Sequence, residues 1–79
     1  MKFRQTEIPG LVVIEPTVFD DERGFFMETY HQEKFAEAGI QGPFVQTNHA
    51  RSIKNTLRGL HFQNPNPQGK LVRCLSGEI

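Results

Sequence analysis

A chain of 79 residues makes at most one small domain, near the size at which a single core barely outweighs conformational entropy without a disulfide, a metal or a partner chain. Its one cysteine excludes an internal disulfide and leaves a reducing cytoplasm as the default compartment. Nine basic and nine acidic side chains cancel, yet residues 1–39 carry four bases against eight acids and residues 40–79 carry five bases against one acid. That split suits either an anionic ligand on the second half or neutralisation of one half by the other. The bases are spaced singly and form no recognised motif, which argues against nucleic acid. Met1–Gly10 lacks the charged start and apolar run of a signal peptide, and no window approaches the ~18 apolar residues of a membrane span.

In chain order, Lys2–Ile8 alternates loosely, Pro9–Gly10 signals a turn, and Leu11–Ile14 is apolar and β-branched as in a buried strand. Pro16 cannot donate to a ladder and puts this strand at an edge or at its end. Val18–Gly24 reads as a polar turn, after which Gly24–Tyr30 resumes a strand-like aromatic run. Parity on that run groups Phe26, Glu28 and Tyr30, which makes Glu28 either a rim residue or a ligand contact. His31–Ala38 is the one predicted helix, with Phe35 as its inward anchor, Gly39 at the C-terminal cap and His31 as a surface histidine.

Gln41–Pro43 breaks the helix, and Phe44–Ile53 alternates as a strand that places Gln46 and Asn48 on one side. Two amides on one face grip sugar hydroxyls or carbonyls, or pair with each other in a sheet; spacing leaves both open. Lys54–Asn55 has the length of a hairpin turn, which would make Ser52–Ile53 and Thr56–Leu57 antiparallel neighbours. Asn64–Gly69 is a loop, and Lys70–Leu75 is a further strand in which Cys74 is expected to be a small buried hydrophobe. Glu78–Ile79 starts an element that stays unfinished. Short strands between regular turn signals favour an all-β sandwich or barrel, but they are too few for the eight or so of a closed jelly roll. Residues 1–79 are therefore expected to be the N-terminal part of a single longer domain, truncated after Ile79.

Chemistry concentrates in Arg58-Gly59-Leu60-His61-Phe62-Gln63, which puts a cation, a glycine and an imidazole within four residues. Strict alternation sends Arg58 and His61 to opposite faces, so a shared site calls for a bulge at Gly59. One histidine cannot form a metal triad, and the residue two beyond His61 is Gln63, so no metal is expected.

Five segments in this order carry a resemblance: Ile8-Pro9-Gly10 with Leu11 to Pro16; Asp21-Glu22-Arg23-Gly24-Phe25-Phe26-Met27-Glu28; Phe44-Val45-Gln46-Thr47-Asn48-His49; Leu57 to Gln63; and Gln68-Gly69-Lys70-Leu71-Val72-Arg73. Together they resemble the start of the dTDP-4-dehydrorhamnose 3,5-epimerases. The resemblance implies an incomplete cupin-like double-sheet jelly roll with one short helix near residues 31–38. It implies a homodimer, without cofactor or metal, that acts on a dTDP-linked 4-keto-6-deoxy sugar. His61 becomes the general base, Lys70 the cation near the keto oxygen, and Arg58 a substrate-binding cation. Arg23, Glu28, Gln46, Thr47 and Asn48 become substrate contacts, Thr47 departing from the acidic residue often found between the two amides. The tyrosine acid and the aspartate that partners the histidine come from later sequence in the family, so the isolated chain is expected to be inactive. The alternatives are a related nucleotide-sugar 3-epimerase or 5-epimerase, and a truncated, non-catalytic nucleotide-sugar-binding fragment.

The residue types suit that chemistry. A ketone acidifies the neighbouring carbon-bound hydrogens because the carbanion delocalises as an enolate. The reaction then needs a base that titrates near neutrality, which histidine provides, and a cation at the oxygen where charge develops, which lysine provides. Planar guanidinium groups such as those of Arg23 and Arg58 bind diphosphate oxygens in pairs.

Overall fold

Thr6 organises the first reversal of the chain. Its hydroxyl accepts from the Ile8 amide at 3.2 Å and donates to the Leu11 carbonyl at 2.8 Å. Between them, the Leu11 amide donates to the Ile8 carbonyl at 3.1 Å. Pro9 takes the first central position of that turn and Gly10, at φ +84°, the second, which is the type II pattern. The computed structural model describes all of residues 1–79, which fall into two units, Met1–Asn48 and His49–Ile79.

In the first unit the Pro9–Gly10 turn joins β1 (Lys2–Gln5) to β2 (Val12–Glu15), antiparallel, with Phe3 opposite Ile14. A second hairpin pairs β3 (Val18–Asp21) with β4 (Gly24–Met27), with Phe19 opposite Phe26. The expected polar turn over Val18–Gly24 is thus mostly strand, and only Glu22–Arg23 turns. Asp20 and Asp21 are poor strand formers, but β3 is exposed along its whole length, so neither carboxylate is buried and the Phe19–Phe26 pair supports the ladder.

The helix α1 (Gln32–Glu37) forms where expected. His31, extended at φ −146°, caps it by accepting from the Lys34 amide at 3.4 Å, so this histidine closes a helix end. At the other end the Ile40 amide reaches the Phe35 carbonyl at 2.8 Å and the Gly39 amide reaches Ala36 at 3.0 Å. This is a Schellman cap, and Gly39 at φ +87° supplies the left-handed residue that it requires. Phe35, 1 % exposed, is the one buried side chain. Phe3 meets its ring edge-on at 5.3 Å, Tyr30 does so at 4.7 Å, and Tyr30 in turn meets Phe44 at 5.5 Å. Burying a phenylalanine contributes roughly 1.5–3 kcal/mol and each aromatic pair about 0.5–1.5 kcal/mol more, so this cluster is the unit's anchor.

The second unit holds no strand or helix. Neither Phe44–Ile53, half of which lies in the first unit, nor Lys70–Leu75 forms the expected strand. Cys74 is exposed, not buried, and its thiol faces the Ser76 carbonyl at 3.4 Å. The Lys54–Asn55 turn does close, with the Thr56 amide on the Ile53 carbonyl at 3.2 Å. Only its second central residue, Asn55 at φ +69°, is left-handed, and that type II pattern splays the flanking segments, unlike the mirror-image turns of a hairpin. Gly59 has φ +108° with no ladder beside it, so the expected bulge is absent. All regular structure is β apart from the one short helix, in two separate two-stranded sheets. No helix is long and apolar enough to cross a membrane.

Candidate functional site

The candidate residues divide between the units: Arg23, Glu28, Gln46, Thr47 and Asn48 belong to the first, and Arg58, His61 and Lys70 to the second. Arg23 sits in the β3–β4 turn, which Asp21 shapes by accepting the Arg23 amide at 2.8 Å. The same carboxylate takes the guanidinium through Nε at 3.1 Å and through Nη2. This contact holds the Asp21 carboxyl below its ordinary value and raises Arg23. Glu28 follows β4 and accepts from Lys34 Nζ at 2.6 Å, and that hydrogen bond draws its carboxyl down. Both first-unit charges are therefore engaged within the chain. Neither Lys34 nor Asp21 stands out in the sequence as a partner, although spacings of six and two residues put them within reach.

Gln46 and Asn48 do share a side. Gln46 Nε2 donates to Asn48 Oδ1 at 3.2 Å, so the amides are paired with each other, with Thr47 exposed between them.

In the second unit the Asn64–Gly69 loop brings Lys70 back toward His61, and Lys70 Nζ donates to the His61 main-chain carbonyl at 3.5 Å. Both residues line one cleft of about 240 Å³ with Phe62, Gln63, Pro67 and Gln68. An imidazole and an ammonium bordering one concavity are what proton abstraction beside a carbonyl requires: one takes the proton and the other stabilises the oxyanion. Arg58 does not line that cleft. Its Nε donates to Ser52 Oγ at 2.9 Å and its Nη2 to the Arg51 carbonyl at 3.3 Å, contacts that alternation could not have indicated. A larger concavity of about 490 Å³ at the start of α1, lined by His31, Gln32, Glu33 and Ala36, includes no candidate residue. No group of three or more His, Cys, Asp or Glu side chains is arranged to hold a metal ion.

The family profile described as dTDP-4-dehydrorhamnose 3,5-epimerase matches residues 5–79. The chain belongs to that family. It is 56% identical over 81 residues to the dTDP-4-dehydrorhamnose 3,5-epimerase of Shigella flexneri, an alignment covering all of this chain and 45% of the relative. With the Salmonella typhimurium enzyme of that name it shares 57% over 77 residues, covering 95% of this chain and 42% of the relative. With that of Methanothermobacter thermautotrophicus it shares 51% over 78 residues, covering 99% and 42%. The chain thus spans less than half the length of these curated relatives. No solved structure matches it at a significant level.

Proposed function

We propose that residues 1–79 form the N-terminal part of one jelly-roll domain of a cytoplasmic, homodimeric dTDP-4-dehydrorhamnose 3,5-epimerase. The observation that carries this is the family match across residues 5–79, in register with a cleft that His61 and Lys70 line together. On this reading His61 removes the hydrogens at C3 and C5 of dTDP-4-dehydro-6-deoxy-glucose, and Lys70 stabilises the enolate oxygen. Arg23 and Arg58 take the diphosphate, and Glu28, Gln46, Thr47 and Asn48 contact the nucleotide-sugar. Return of the proton from the opposite face sets the new configuration, as in dTDP-rhamnose synthesis.

The isolated chain is proposed to bind without catalysing. One observation favours this: the second unit has no tyrosine, and Tyr30 packs its ring against Phe35 and Phe44 in the first unit. The tyrosine acid that the family resemblance calls for is therefore not offered by the unit in which His61 lies.

The test places residues 1–79 in the Shigella flexneri relative in place of its matching segment and follows the sugar's hydrogens in heavy water. The chimera is expected to exchange C3 and C5 hydrogens, and His61→Ala to slow this by about 10²–10⁴-fold. The chain alone is expected to give none. Exchange that survives His61→Ala would remove the base assignment, and exchange at one carbon only would point to a 3- or 5-epimerase.

A further inference from the structure

We propose that Ser52, with the main-chain carbonyl of Arg51, is a positioning residue that holds the Arg58 guanidinium with one edge presented to an oxyanion, the diphosphate of a nucleotide-sugar. The identity of that anion rests on the function proposed above.

The arrangement begins with the turn. Ile53–Thr56 reverses the chain, closed by the Thr56 amide on the Ile53 carbonyl at 3.2 Å, and across it the long Arg58 side chain reaches back to residues 51 and 52. Arg58 then spends two donors of the same edge on the protein, Nε on Ser52 Oγ at 2.9 Å and Nη2 on the Arg51 carbonyl at 3.3 Å. A guanidinium is a rigid plane, so two contacts along one edge orient the whole group. The two Nη1 hydrogens and the outer Nη2 hydrogen remain, and one of the former with the latter forms the end fork that matches two oxygens of a phosphate.

The choice of acceptors points to a ligand. Arg23 turns the same edge to the Asp21 carboxylate, which neutralises it. Arg58 meets only a hydroxyl and a carbonyl, and it takes part in none of the three ion pairs of the chain. Neutral acceptors fix the direction of the group and leave its charge uncompensated. Its own unit offers only Glu78 as an acid among five bases. A surface arginine serving solubility alone has no need of an oriented plane.

The test uses the intact chain with dTDP as probe and thymidine, which lacks the diphosphate, as control. In Ser52→Ala the Arg58 Nε–H is expected to lose order in side-chain nitrogen relaxation and to exchange faster with water. Its dTDP affinity should fall by about tenfold while thymidine binding stays the same. Ser52→Thr retains the hydroxyl and should restore both properties, and an unchanged Thr56 amide resonance will show the turn intact in each variant. An Arg58 Nε–H equally ordered in Ser52→Ala overturns the proposal, as does dTDP affinity that holds while the guanidinium loosens. Failure of the wild-type chain to bind dTDP overturns the nucleotide-sugar reading and this proposal with it. That failure is distinguishable because it appears before any variant is made.

Discussion

Residues 1–48 hold four strands, a capped helix and the one buried side chain, whereas residues 49–79 hold a single main-chain turn bond and no regular element. The division follows charge as well: the first unit has eight acids against four bases and the second five bases against one acid. Hydrophobicity does not separate them, since Leu57, Leu60 and Phe62 are 93%, 98% and 85% exposed. What differs is where the hydrogen-bonding partners lie. In the first unit each strand meets its partner across a loop of two to six residues, and the helix brings Phe35 onto Phe3. In the second unit the strand-like runs find no ladder within the chain, and an extended run without a neighbour has neither paired amides nor a covered face.

Three expected outcomes can break or sharpen this contrast. The largest is for Phe35→Ala, which removes the centre of the aromatic cluster and by itself costs roughly 3–5 kcal/mol. In a unit with one fully buried side chain this should abolish the helical circular-dichroism signal and the dispersed Tyr30 ring resonances. A retained helical signal would show that the Phe35 cluster is not what anchors this unit.

An intermediate effect is expected in amide exchange. The β1–β2 and β3–β4 ladders and the amides of Phe35, Ala38, Gly39 and Ile40 should be measurably slowed, and in the second unit Thr56 alone. Slow exchange over 57–63 or 70–75 would mean that those segments pair after all.

The smallest effect concerns Glu28. Its carboxyl lies below the ordinary glutamate value of 4.5 because Lys34 donates to its charged form. A carboxyl depressed on folding contributes stability above its unfolded value, lost as pH falls through the folded one. Stability of the first unit should therefore decline slightly below about pH 4.5, and Glu28→Gln should lack that component in an acid titration followed by circular dichroism. The pair is largely solvated, so an unchanged midpoint at neutral pH is expected in high salt.

Much of the local structure was readable from the residues, because it is decided within a few of them. Pro9–Gly10 had to turn, Lys54–Asn55 had to turn, and Gly39 had to end a helix that Phe35 anchors, since φ preferences and capping bonds act over one to six residues. Local pattern likewise put Gln46 beside Asn48, whereas the pairing of His61 with Lys70, which line one cleft, came from the family resemblance. Local pattern failed for β3, where two aspartates disguised an exposed strand, and for the runs over Phe44–Ile53 and Lys70–Leu75, where alternation was present and a partner was not.

By itself, then, the sequence determined the turns, the helix and its caps, the charge division and the family, all of which are local chemistry or ordered residue identity. The tertiary structure decided which alternating runs become strands, whether Cys74 is covered, and which way Arg58 faces. Those outcomes depend on backbone and side-chain partners brought near by the fold, such as Ser52 six residues back across a turn, and the period of a sequence does not encode a partner's position.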